Sequence, residues 1–147
     1  MKRYVLGFVF SPDLAKVYLI RKNRPEWQAG LLNGIGGKIE LGETEKEAME
    51  REALEESGYY GEWIYYGHMG NFGPYFSAWS CAVFYSVMKE GCEVPETRED
   101  EPITCIDLSA VPTLRREMIS NTPALIFGAL LHHNYDSPIK PTMQLQY

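Results

Sequence analysis

The run from Gly34 to Tyr59, GIGGKIELGETEKEAMEREALEESGY, constrains this chain more than any other stretch. It joins a glycine-rich turn, a helix start signal, a concentration of glutamates and a helix stop without a break. Thr44-Glu45-Lys46-Glu47 fits a capping box. In that motif the threonine hydroxyl and the third-position glutamate satisfy N–H groups that the first helical turn leaves unpaired. Gly58 stands where a left-handed cap ends a helix. The spacing predicts a helix over residues 45–57.

At roughly 100° per residue, Glu45, Glu52, Glu55 and Glu56 share one arc of about 100°, with small Ala48 inside it. Lys46 and Arg51 fall outside that arc. Like charges four residues apart destabilise a helix by roughly 0.2–0.5 kcal/mol per pair, so a solvated helix face normally mixes signs. A one-signed face has two readings. It is an acidic surface, or it is a set of oxygen donors on a rigid support for a hard cation such as Mg²⁺ or Mn²⁺.

From Gly37 through Glu43 to Arg51-Glu52-Ala53-Leu54-Glu55-Glu56-Ser57-Gly58-Tyr59, the spacing resembles the Nudix box, G-x5-E-x7-R-E-U-x-E-E-x-G-U, with U a bulky aliphatic residue. Every glycine, glutamate and arginine of the pattern is present. Ala53 and Tyr59 depart from it at the U positions, which concern packing behind the helix rather than its polar chemistry. The resemblance implies a Nudix-type α/β/α sandwich with a mixed β-sheet. It also implies an enzyme that hydrolyses a nucleoside diphosphate linked to a group X, using Mg²⁺ with Mn²⁺ as a substitute. Glu52, Glu55, Glu56 and the carbonyl of Gly36 become the implied metal ligands, and Glu52 doubles as a candidate base. Arg51 would orient a glutamate through its planar fork, and Glu43 would support the loop or a second metal.

Substrate choice is less constrained. Many Nudix enzymes have proline before the Gly-Gly pair, whereas this chain has Ile35 and reads Asn33-Gly34-Ile35-Gly36-Gly37-Lys38. That form looks like the branch acting on oxidised purine nucleoside triphosphates, which makes Asn33 a candidate base reader and Lys38 a candidate substrate contact. Asparagine also simply favours a turn before glycine. Pro74 would suit an ADP-ribose enzyme and Tyr75 a diadenosine polyphosphate enzyme, so the two markers cancel, with Tyr75 kept as a candidate substrate contact. The expected reaction is a nucleoside triphosphate going to monophosphate and pyrophosphate. ADP-ribose, a dinucleotide or a diadenosine polyphosphate is the alternative, and a non-catalytic nucleotide-binding module the third reading.

Whole-chain properties agree with a small enzyme. A length of 147 residues suits one domain, and 45% hydrophobic residues suffice for a core. A formal charge of −6 argues against long nucleic-acid partners, which need basic surfaces. Cys81, Cys92 and Cys105 form no C-x-x-C pair, which suggests reduced thiols in a cytoplasmic protein and no zinc site. No apolar run reaches the length of a membrane span. Pro12-Asp13 interrupts the apolar stretch behind Lys2-Arg3, so no signal peptide is read. The partner expected is a small nucleotide, with the chain a monomer or homodimer.

In chain order, Tyr4 to Phe10 and Ala15 to Ile20 read as strands joined at Ser11-Pro12-Asp13. Arg21 to Gly30 reads as a loop in which Trp27 either stacks a base or anchors the loop to the core. Glu62 to Met69 and Phe76 to Met88 read as aromatic strands around a turn at residues 70–75. In the acidic segment from Lys89 to Pro102, Glu99 is the first candidate for an additional catalytic carboxylate and Glu101 the second. Ile106 to Leu108 reads as a strand and residues 109–112 as a turn. Pro123 to Asn134 reads as a helix with Leu125, Ile126, Ala129 and Leu130 inward and His132 and His133 as helix-terminal polar groups. Residues 136–147 read as a tail. The expected order is three strands, a helix, three strands, a helix.

Overall fold

The computed structural model describes residues 1–71 and 78–135. The expectations placed on Pro74 and Tyr75, and on the tail at 136–147, lie outside the described residues. A mixed sheet runs through the middle with helices on both faces, an α/β/α sandwich as expected. Its strands are β1 (Lys2–Phe10), β2 (Lys16–Arg21), β3 (Leu32–Asn33), β4 (Ile35–Lys38), β5 (Ile64–Asn71), β6 (Trp79–Val87) and β7 (Ile103–Asp107). The helices are α1 (Glu45–Ser57), α2 (Val111–Leu114) and α3 (Thr122–Tyr135). β1 is central and lies parallel to β6, while the other pairings are antiparallel.

The first half of the chain carries four strands rather than three, because the chain changes partner at Gly34. β1 and β2 pair only near their shared turn, Val9 with Tyr18 and Phe10 with Val17, and then splay. Residues 32–38 enter the gap, β3 against β2 and β4 against β1. Gly34 crosses there so closely that a Cβ would lie 2.6 Å from the carbonyl oxygen of Gly7, which explains why no side chain fits.

Alternation along β1 sorts the core. Leu6, Phe8 and Phe10 face α3, where they meet Tyr66, Leu125 and Ile126. Val5 and Val9 face α1, where they meet Ala48, Met49 and Ala53. Gly7, between them on the α1 side, leaves room for Met49 and Trp63. The two departures from the box, Ala53 and Tyr59, are both buried behind α1, and the Tyr59 hydroxyl meets the Ser86 hydroxyl at 2.7 Å. Tyrosine therefore fills the aliphatic position by adding a buried polar partner.

Other boundaries need correction. Residues 109–112 are no simple turn: a 3-10 turn at Leu108–Ala110 runs into α2, whose first turn contains Pro112, a residue already set at helical φ. The loop at 21–30 contains a 3-10 turn at Glu26–Gln28. His132 does sit in the last turn of α3, and its Nδ1 lies 3.1 Å from the Tyr85 hydroxyl. All three cysteines are free, and among the described residues no helix is long and apolar enough to cross a membrane.

Met49 is wholly buried where α1 meets β1. Met49→Ala is expected to lower unfolding free energy by about 2–4 kcal/mol, measured by urea titration, through lost burial and the cavity left behind. A change below about 0.5 kcal/mol would show that α1 is not seated by this contact.

Candidate active site

Helix α1 starts and stops where its sequence signals place it. The Thr44 side chain accepts a hydrogen bond from the Glu47 N–H, the Glu47 carboxylate accepts one from the Thr44 N–H, and Gly58 is left-handed at φ 66°. This rigid support carries Arg51, Glu52, Glu55 and Glu56, and β4 lies against it.

Arg51 reaches the carboxylates that the helical arc seemed to deny it. Its backbone lies only about 40° beyond the edge of the arc, and the long side chain closes that gap. Nη1 donates to Glu52 at 2.9 Å and to Glu55 at 3.3 Å. Nη2 donates to Glu43 and to the carbonyl of Lys38, both at 3.0 Å, and Nε donates to the other oxygen of Glu43. One guanidinium thus joins three carboxylates to the end of β4. Its hydrogen bond, followed by one from the Glu40 N–H, holds the Glu43 carboxyl below the usual range. Glu45, counted in the arc from the sequence, belongs elsewhere. It pairs with Arg3 and lies 3.2 Å from His68 Nε2, at the other end of the helix.

Glu56 is the most constrained carboxylate. It is 6% exposed, and its Oε2 accepts a hydrogen bond from the Gly36 N–H at 3.2 Å. Burial pushes its pKa up to about 8, with Glu52 adding repulsion and Lys22 and the Gly36 N–H opposing. Glu52 is also raised, by burial first, against the pull of Arg51. Glu52 lies directly over Gly37, where a Cβ would come within 2.6 Å of its carboxyl carbon. At Gly36 a Cβ would run into the carbonyl of Val5. Gly36 is therefore required for β4 to lie against β1, whereas a side chain at Gly37 would displace the Glu52 carboxylate. In an antiparallel ladder the N–H and C=O of one residue point to the same side. With its N–H on Glu56, the carbonyl of Gly36 is directed to the α1 side as well.

The donor set is all oxygen, which suits a hard divalent cation. Among the described residues no three acidic, histidine or cysteine side chains converge on one point. Glu52 and Glu55 are instead turned to Arg51 and Glu56 to Gly36. That is the arrangement repelling carboxylates adopt around the nearest cationic and N–H partners.

The remaining candidates separate. Asn33 Oδ1 accepts from the Gly34 N–H at 2.8 Å and the Thr122 hydroxyl at 3.1 Å, so only its amide NH₂ is left for a ligand. Trp27 does not anchor its loop to the core, being 68% exposed. The Lys38 side chain is exposed at the end of β4. Glu99 is exposed and close enough to Glu52 to raise its pKa. Glu101 is buried, and its oxygens are taken by Lys22 and by two backbone N–H groups. The pairing of Lys22 with Glu101 was not legible beforehand. It joins positions far apart in the chain, and its only local trace is a lysine opening a polar loop.

The NUDIX-domain family profile matches residues 1–122, and the chain belongs to that family, the Nudix hydrolases, which act on nucleoside diphosphate-linked substrates. Among the solved structures that share the fold, three serve for comparison. The first is MutT from a study of the Aliivibrio salmonicida and Vibrio cholerae proteins (22% identity, TM-score 0.67, covering 88% of this chain and 96% of that one). The second is MutT from Bacillus halodurans (21%, 0.67, 98% and 90%). The third is the NUDIX domain of Shewanella oneidensis NrtR complexed with ADP-ribose (16%, 0.70, 89% and 87%). No curated protein sequence matches the chain.

The raised pKa of Glu56 has a consequence for stability. The ordinary glutamate value is 4.5 and the folded value about 8. Between them the folded state holds a proton that the unfolded chain releases. The stabilisation from protonated Glu56 is therefore present at low pH and lost as pH rises through that window. Urea titrations in a chelating buffer are expected to show wild-type stability falling relative to Glu56→Gln from about pH 5 to about pH 8. Parallel profiles for the two proteins would contradict the burial of this carboxyl.

Proposed function

We propose that this chain hydrolyses a nucleoside triphosphate to the monophosphate and pyrophosphate, with Mg²⁺ or Mn²⁺ as cofactor. The observation that carries the reading is that two hydrogen-bonded groups, Gly36 with Glu56 and Arg51 with Glu52 and Glu55, gather the carboxylates of the box on one rigid helix against one strand. Glu52, Glu55, Glu56 and the Gly36 carbonyl would hold the ion. A divalent cation there supplies the countercharge without which a polyphosphate would be repelled by this carboxylate-rich surface.

Each candidate site residue has a task in this reading. Arg51 donates to Glu52, Glu55 and Glu43, so the carboxylates stay gathered beside β4 before a cation and the polyphosphate arrive. Glu52, half-buried with a raised pKa, is the first candidate to take the proton of the attacking water, and exposed Glu99 is the second. Trp27 offers an indole face for the base, the Asn33 NH₂ a donor for its edge, and Lys38 a cation for the outer phosphates. The triphosphate choice is supported by the Asn33-Gly34-Ile35-Gly36-Gly37-Lys38 run and by the donor Asn33 retains. ADP-ribose, which the NrtR domain binds, is the competing substrate class.

Glu55 is half-exposed and supports no core contact. Glu55→Gln is expected to lower kcat by more than about 100-fold while leaving the far-UV circular dichroism unchanged. The assay is Mg²⁺-dependent release of pyrophosphate or phosphate across canonical and 8-oxo triphosphates, ADP-ribose, NADH and diadenosine polyphosphates. A fully active variant would sink the metal-site assignment. Preference for ADP-ribose over every triphosphate would overturn the substrate choice alone.

A further inference from the structure

We propose that Glu101 is a positioning residue that seats the Trp27 loop as the platform for the nucleobase. The inference rests on the nucleotide-hydrolase reading above and deepens it. One buried carboxylate, 3% exposed, gathers three consecutive residues at the start of the loop. Its Oε1 takes the Lys22 ammonium at 2.8 Å, and its Oε2 takes the N–H groups of Asn23 and Arg24. With both oxygens so engaged, Glu101 serves the loop rather than a ligand.

The neighbouring residues repeat the connection. Asn23 Nδ2 donates to the Asp100 carbonyl at 2.9 Å, Arg24 Nη1 to the Asp100 carboxylate at 2.9 Å, and the Arg21 N–H to the Pro102 carbonyl at 2.9 Å. Upstream, the Glu96 N–H donates to the Ser57 carbonyl at 2.9 Å and the Arg98 N–H to the Glu56 carbonyl at 3.2 Å. Residues 96–102 therefore form a strap from the end of α1, beside Glu56, to the base of the Trp27 loop. The base of the loop closes through Gly30 N–H to Lys22 O and Lys22 N–H to Leu31 O. Its tip is the 3-10 turn that presents Trp27.

An indole held outward on a fixed support is what stacking on a base requires, since every base offers a π-face. Burying a charged pair adds little net stability compared with an apolar pair of the same shape, so the role assigned to this pair is to set geometry. Here the geometry fixed is the distance between the carboxylates of α1 and the platform.

The test is a double-variant cycle on KM with the preferred nucleoside triphosphate. Trp27→Ala and Glu101→Gln are each expected to raise KM about five- to tenfold with kcat within about twofold. The double variant should be no worse than Trp27→Ala alone. Multiplying KM effects, or a collapse of kcat in Glu101→Gln, would overturn the proposal, the second by placing Glu101 at the reaction centre. Asp100→Ala, at an exposed pair, covers the case in which Glu101→Gln does not fold. It should raise KM about twofold and add nothing to Trp27→Ala. A wild type that turns over no nucleotide is the failure of the function reading instead. Quenching of tryptophan fluorescence by ATP then decides the platform: loss in Trp27→Ala and weakening in Asp100→Ala support it, and quenching unchanged in either variant overturns it.

Discussion

The guanidinium of Arg51 is the interaction on which the rest of the site depends. Carboxylates gathered on one helix repel, and a cationic group among them relieves that cost. Arg51 answers this from within the helix by donating to Glu43, Glu52 and Glu55 while its remaining N–H takes the carbonyl of Lys38. A lysine at this position, with a single compact ammonium, could not span these acceptors at once. The same contact ties α1 to the end of β4, so holding the charges apart and holding the glycine strand in place are one interaction.

Glu56 lies beyond the reach of that arrangement and is treated differently. It faces the sheet and is buried, with the Gly36 N–H as its backbone partner. Gly36 contributes by lying so close to the Val5 carbonyl that no Cβ fits there, which lets its N–H meet Glu56. A buried carboxyl with little countercharge keeps its proton to higher pH than an exposed one. Fold and chemistry are thus coupled at Gly36 and Glu56, where close backbone approach sets both the burial and the donor direction.

What was legible in the sequence follows the range of the interactions. Helix α1 was readable to its end residues because a capping box and a left-handed glycine are local signals. The mixed sandwich followed from the family resemblance rather than from periodicity. Gly34 shows the limit: its glycine is local, but the switch of strand partner it permits depends on where β1 and β2 splay. The helical arc misplaced two residues for one reason, that it describes backbone angle and not reach. Arg51 extends into the site, while Glu45 is drawn to Arg3 and His68, which sequence does not place beside it. Trp27 was ambiguous between core and solvent until its surroundings were known. Lys22 and Glu101 pair across most of the chain, and no local pattern marks such a pair.

The central proposal is that the α1 carboxylates hold a divalent cation and that Glu56 releases its proton on binding it. The direct test is calorimetric titration of Mg²⁺ or Mn²⁺ at neutral pH in two buffers of different ionisation enthalpy. The difference between the two heats counts the protons released on binding. The account predicts release of about one proton per ion in the wild type and none in Glu56→Gln. Binding with no proton release, or no binding to the wild type at millimolar metal, would contradict it.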